Sequence, residues 1–148
     1  MTSPTAPRLA TIVVCVDDSA ESLGALELAA TIGGSRESAL TIVHVRPTPR
    51  AFGLGPEGSI EYAQAQDELD EAITAEATSR LADYPGTWTV VIRTGSIGRE
   101  LLAVADEVDA DLIVVGSKGM QGARRVLGSV PNTISHQADC SVLIIQTG

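Results

Sequence analysis

Five short runs rich in valine and isoleucine constrain this chain more than any other feature: Thr11 to Val16, Ala39 to Val45, Thr87 to Arg93, Asp111 to Val115 and Ser141 to Gln146. They are nearly continuous in apolar residues rather than alternating, the pattern of parallel strands covered on both faces. The segments between them carry helical spacing. Leu23, Leu26, Ala29 and Ala30 share a face after Ser19, whose hydroxyl suits an N-cap, and Gly33-Gly34 closes that helix. Leu69, Ile73, Ala77 and Leu81 repeat every four residues in the stretch 59–82, and Leu101, Leu102 and Ala105 follow Gly98. Parallel neighbours need a crossover, and a helix is the usual one. The fold class is therefore α/β, with an open and mostly parallel sheet.

The chain has 148 residues, which predicts a single domain over 1–148. Only 3% of the residues are aromatic, so the core must be built from Val, Ile, Leu and Ala. A formal net charge of −9 argues against a general nucleic-acid binder and against anionic membranes, because both would repel it. The apolar runs are far shorter than the roughly 20 residues that cross a bilayer. The polar, Pro-rich segment 1–8 reads as a flexible terminus without the pattern of a secretion signal, which makes the cytoplasm the expected location. Cys15 and Cys140 fall in or beside apolar strand runs and are expected to be buried free thiols. The segment Arg46 to Gly58, with three prolines and three glycines, predicts a mobile loop after the second strand. The seven acids from Glu57 to Glu76, with no base among them, predict the solvated outer face of a helix.

The fourth strand runs into Gly116-Ser117-Lys118-Gly119, and the loop continues to Gly128-Ser129-Val130-Pro131. Four glycines in thirteen residues describe backbone that turns sharply or comes close to something. Ser129 and Pro131 mark a helix start, where unpaired N–H groups and a partial positive charge suit an anion. Lys118, Arg124 and Arg125 concentrate positive charge in the same stretch of an acidic protein. Phosphate is the candidate anion. The loop is not a phosphate-binding Walker loop, which needs Lys before the hydroxyl residue at the helix start, and the first strand lacks the dinucleotide fingerprint, ending instead in Asp17-Asp18-Ser19. His44 and His136 read as structural, and no nucleophile elbow supports a Ser19-His44-Asp17 triad.

Val16-Asp17-Asp18-Ser19, Val43-His44-Val45, Ala110 to Gly116, the glycine loop and Val142 to Ile145, in that order along the chain, resemble the universal stress protein family. The run from Gly128 to Asn132 and the last strand resemble its actinobacterial members. The resemblance implies a Rossmann-like, five-stranded parallel sheet in the order 3-2-1-4-5, a homodimer through the final strand, and in one branch an adenine-nucleotide site. Carried over by position, Gly116, Gly119, Gly128, Ser129 and Val130 would hold phosphates and ribose, with Val115 and Lys118 beside them. Asp17 would approach the ribose or a phosphate-bound metal such as Mg2+, and Val45 would offer its backbone to adenine. The ATP-binding branch has nine residues between the second and third loop glycines, whereas Met120 to Leu127 supplies eight. Three readings therefore stand: ATP binding, cyclic AMP binding, and a dimeric interaction module that holds no nucleotide. Asp17 and Asp18 are the only candidates for metal-assisted turnover, so any enzymatic role is at most a weak ATPase.

Overall fold

The computed structural model describes residues 9–48, 55–117 and 129–146. Within the described residues, five strands alternate with four helices: β1 (Thr11–Cys15), α1 (Ala20–Gly34), β2 (Ala39–Arg46), α2 (Pro56–Arg80), β3 (Trp88–Thr94), α3 (Ile97–Glu107), β4 (Leu112–Gly116), α4 (Ser129–Gln137) and β5 (Ser141–Ile145). The strands form one sheet in the order β3-β2-β1-β4-β5, every neighbouring pair parallel. The strand order reverses at β1, which has β2 on one side and β4 on the other.

Alternate residues along each strand point to opposite faces, and both faces are covered. Ile12, Val14 and Val16 pack with Leu26 and Ala29 of α1 and with Ile73 and Ala77 of α2. Val13, Val43, Ile113 and Val115 pack with Leu101 and Val104 of α3 and with Ile134 of α4. Apolar side chains on both faces are why β1 and β4 read as nearly continuous apolar runs, and β2 does so apart from the buried Thr41 and His44. The edge strands depart from that expectation. β3 mixes half-buried and exposed residues with none buried, and β5 is half-buried from Val142 to Ile145.

Local boundaries follow the chemistry of the ends. Ser19 caps α1, its hydroxyl accepting from the Ser22 N–H at 3.2 Å. The buried face of α1 centres on Ala25, Leu26 and Ala29, with Leu23 and Ala30 at its margin. The Pro/Gly-rich stretch expected to form a loop from Arg46 to Gly58 is shorter at both ends. Arg46 closes β2, paired with Thr94, and Pro56 opens α2 from the first-turn position where its missing N–H is no loss. Residues 49–54 of that stretch, and the terminal segment 1–8, lie outside the described residues. No helix among the described residues is long and apolar enough to cross a membrane. Cys15 and Cys140 are free, as expected, and each residue as a whole is half-buried.

Candidate functional site

The first connection, Val16 to Ser19, turns the chain from β1 into α1 at the point where the strand order reverses. In open α/β sheets this is where a crevice forms outside the carboxyl ends of the strands. A cavity of about 260 Å3 opens there, just below the usual range of small-molecule sites. Its lining comes from the ends of β1, β2 and β4 and from the starts of α1, α3 and α4, with part of α2 along one side.

Asp17 is held in place by its own turn. Its Oδ1 accepts from the Ser19 N–H at 2.7 Å and from the Ser22 hydroxyl at 2.8 Å. The same Ser22 oxygen accepts from the Asp17 N–H at 2.9 Å. Burial opposes the Asp17 charge, but the hydrogen bonds from Ser19 and Ser22, with His44 nearby, outweigh it and hold the carboxyl below its ordinary value of 3.8. The adjacent Cys15 thiol moves the other way, pushed up to about 12 by burial first and by the Asp17 charge second. It is a neutral apolar filler at the cavity wall rather than a nucleophile.

Gly116 ends β4 on the cavity floor. A Cβ there would meet Glu21 side-chain atoms no nearer than 3.8 Å, an ordinary contact. Packing within the described chain therefore does not demand glycine. Gly116 shares the cavity lining with Asp17 and with Val130 and Pro131 of α4.

On the opposite side β2 contributes His44 and Val45, and α2 contributes Gln66 and Leu69. His44 is 4% exposed, with Nδ1 3.1 Å from the Val16 carbonyl and Nε2 3.7 Å from Asp70 Oδ1. Asp70 Oδ2 accepts from Arg46 Nε at 2.9 Å, and Arg46 also reaches Asp67 at 2.7 Å. Asp70 thus departs from the expectation of a solvated acidic face: it is half-buried, while the other six acids of that series are exposed.

Of the residues named from sequence, Asp17, Val45, Val115, Gly116 and Val130 line this one cavity. Ser129 is the first residue of α4, next to Val130. Lys118, Gly119 and Gly128 lie outside the described residues. His136 sits in the last turn of α4 and is not among the lining residues. His44, read from sequence as structural, is buried and also lines the cavity. Gln66 and Leu69 carried only the signal of a helix face. Leu69 begins the four-residue repeat that continues through Ile73 and Ala77, yet it is only half-buried because it borders the cavity. Among the described residues no three His, Cys, Asp or Glu side chains gather into a metal-binding group. A metal at Asp17 would need most of its ligands from a bound phosphate and water.

The sequence pattern described by the family model "Universal stress protein family" matches residues 9–146. The chain belongs to the universal stress protein family. A universal stress protein A homologue of Coxiella burnetii is 31% identical over 140 residues, covering 90% of this chain and 94% of that protein. A universal stress protein of Mycobacterium tuberculosis is 34% identical over 151 residues, covering 93% of this chain and 96% of its own length. Among solved structures, UspA from Lactobacillus plantarum superposes with a TM-score of 0.81 at 23% identity, over 93% of this chain and 98% of that one. A universal stress protein in complex with cyclic AMP superposes with a TM-score of 0.70 at 29% identity, over 93% and 97%. The universal stress protein fold is thus matched along almost the whole chain, with the sheet order the resemblance implied.

Proposed function

We propose that this chain binds an adenine nucleotide in the cavity at the carboxyl ends of β1, β2 and β4, and acts in the cytoplasm as a stress-response protein through conformation or partner binding. The observation that carries the reading is the meeting of Asp17, Val45, Gly116 and Val130 around one cavity with an unobstructed glycine floor. In this reading the Val45 backbone faces the base and Asp17 faces the ribose, while Gly116 and the first turn of α4 lie toward the phosphates. Lys118, Gly119, Gly128 and Ser129 are assigned to the phosphate side by resemblance. The solved relative holding cyclic AMP supports a ligand built on adenosine, a part common to cyclic AMP and ATP. Acid extraction of purified protein followed by chromatography should release an adenine nucleotide. An extract free of nucleotide, from protein that also takes up neither ATP nor cyclic AMP, would contradict the reading. The interaction module would then replace it, in keeping with the eight residues from Met120 to Leu127.

The same proposal includes a homodimer through β5. Its support is an edge strand whose Val142, Leu143, Ile144 and Ile145 are each only half-buried, an aggregation hazard if left uncovered. Light scattering should give twice the chain mass at micromolar concentration, and Ile144→Lys should shift it to the monomer. A wild-type monomer, or a dimer indifferent to that substitution, would remove β5 as the interface.

A further inference from the structure

We propose that the first half of α2 is a proton-operated wall of the cavity, with protonation of His44 closing a polar seam between β2 and α2. The seam itself does not depend on what the cavity holds; its effect on binding rests on the nucleotide reading above.

The Val16 carbonyl can only accept, so the contact at 3.1 Å assigns the hydrogen of the neutral His44 ring to Nδ1. Nε2 is then a lone pair, and it faces another acceptor, Asp70 Oδ1, at 3.7 Å. These two atoms and Gln66 Oε1 are buried with no hydrogen-bond partner among the described residues. Two acceptors cannot pair with each other. Nor does the gap suit a bridging water, which, donating to both at about 2.8 Å, would set its two partners about 4.5 Å apart. A proton on Nε2 fits where a water does not: it turns the facing acceptors into a charge-assisted hydrogen bond. Since Asp70 already holds Arg46, and Arg46 holds Asp67, protonation would complete a row of alternating charge from β2 to the surface of α2.

Among the described residues, five charged groups lie near His44 or line its cavity: Asp70, Asp17, Arg46, Glu21 and Asp18. Asp70 faces it from α2, and Asp17 acts on it from the β1–α1 connection. Arg46, on the same strand, is tied to Asp70 and Asp67, and Glu21 at the start of α1 lines the same cavity.

The wall is able to respond because its two halves are held differently. Ile73 and Ala77 anchor the second half of α2 in the core, whereas no residue from Pro56 to Leu69 is buried. That first half is held by half-buried Leu69 at its inner end and otherwise by polar contacts: Tyr62 donates to the Pro47 carbonyl at 3.0 Å, and the Arg46 pairs lie beside Leu69. Gln66 and Leu69, which line the cavity, belong to the same half. The Gln66 amide can turn to offer either edge, so His44 and Asp70 are the fixed elements of the seam.

Amide hydrogen exchange on ligand-free protein, referenced to an unstructured peptide, tests this directly. Lowering the pH from about 8 to about 5.5 should raise protection of amides 58–70 at least about threefold, and that of 73–80 by less. In Asp70→Asn the new amide donates to neutral Nε2 at either pH, so the difference should vanish; His44→Asn, which removes the titrating ring, serves if the first variant is unfolded. Cyclic AMP, whose phosphodiester keeps one charge over this range, should bind at least about threefold more tightly at the lower pH to wild type and equally at both to Asp70→Asn. Unchanged protection in wild type, or the same pH response in both variants, would overturn the seam. Absence of cyclic AMP binding alongside a positive exchange result would count against the nucleotide reading alone.

Discussion

On the α1 side of the cavity, Asp17, Ser19 and Ser22 engage one another through hydrogen bonds of 2.7, 2.8, 2.9 and 3.2 Å. On the α2 side, His44, Gln66 and Asp70 each bury an atom that has no partner among the described residues. The α1 wall is a closed polar circuit formed within six residues of chain, so its geometry is set locally. The α2 wall depends on residues from Val16 to Asp70 that meet only in the folded protein. A cavity built this way has one side pre-organised and one side free to adjust, the division of labour expected of a site whose ligand alters conformation.

The largest effect that separates the two walls should come from Asp17→Ala. It removes an ionised acceptor from two donors, so urea unfolding should show a loss of about 2–3 kcal/mol with an unchanged m-value. Because the folded carboxyl lies below its ordinary value of 3.8, the stability it contributes is present above about pH 3.8 and is lost as pH falls through the lower folded value. The gap between wild type and Asp17→Asn should accordingly narrow only below about pH 3.8. A constant gap would mean that the charge is not what holds the turn.

Ser22→Ala should cost about 1 kcal/mol, since Asp17 keeps the Ser19 N–H but loses the hydroxyl. Gln66→Met should be the mildest, within about 0.5 kcal/mol of wild type, because it removes a buried oxygen that has no partner among the described residues and keeps the volume. A loss of more than about 1.5 kcal/mol at Gln66 would show that the α2 wall is as fully paired as the α1 wall, and the contrast would fail.

The same contrast explains what could be read from the chain itself. The α1 wall was legible because capping chemistry is local: Ser19 follows an apolar run and precedes a helix, and Asp17 falls at a strand end. The sheet was legible because β1, β2 and β4 are apolar on both faces. The α2 wall was not. Asp70 sits among seven acids of which six are exposed, and nothing in its neighbours marks it as the one that meets Arg46 and His44 from a distant strand. The helix start at Pro56 was obscured for a related reason. A proline two residues before a glycine suggests a loop, although proline is equally at home in a first helical turn.

If a nucleotide occupies the cavity floored by Gly116, a side chain at that position should displace it, which calorimetry on nucleotide-stripped wild type and Gly116→Val would reveal. The added Cβ has room against Glu21, its nearest neighbour among the described residues at 3.8 Å, so the variant should melt within a few degrees of wild type. Wild type should bind ATP or cyclic AMP at one site per chain, and Gly116→Val should bind at least about tenfold more weakly because the branched side chain occupies the floor. Equal binding by the two proteins, or no binding by wild type at millimolar nucleotide, would contradict the account.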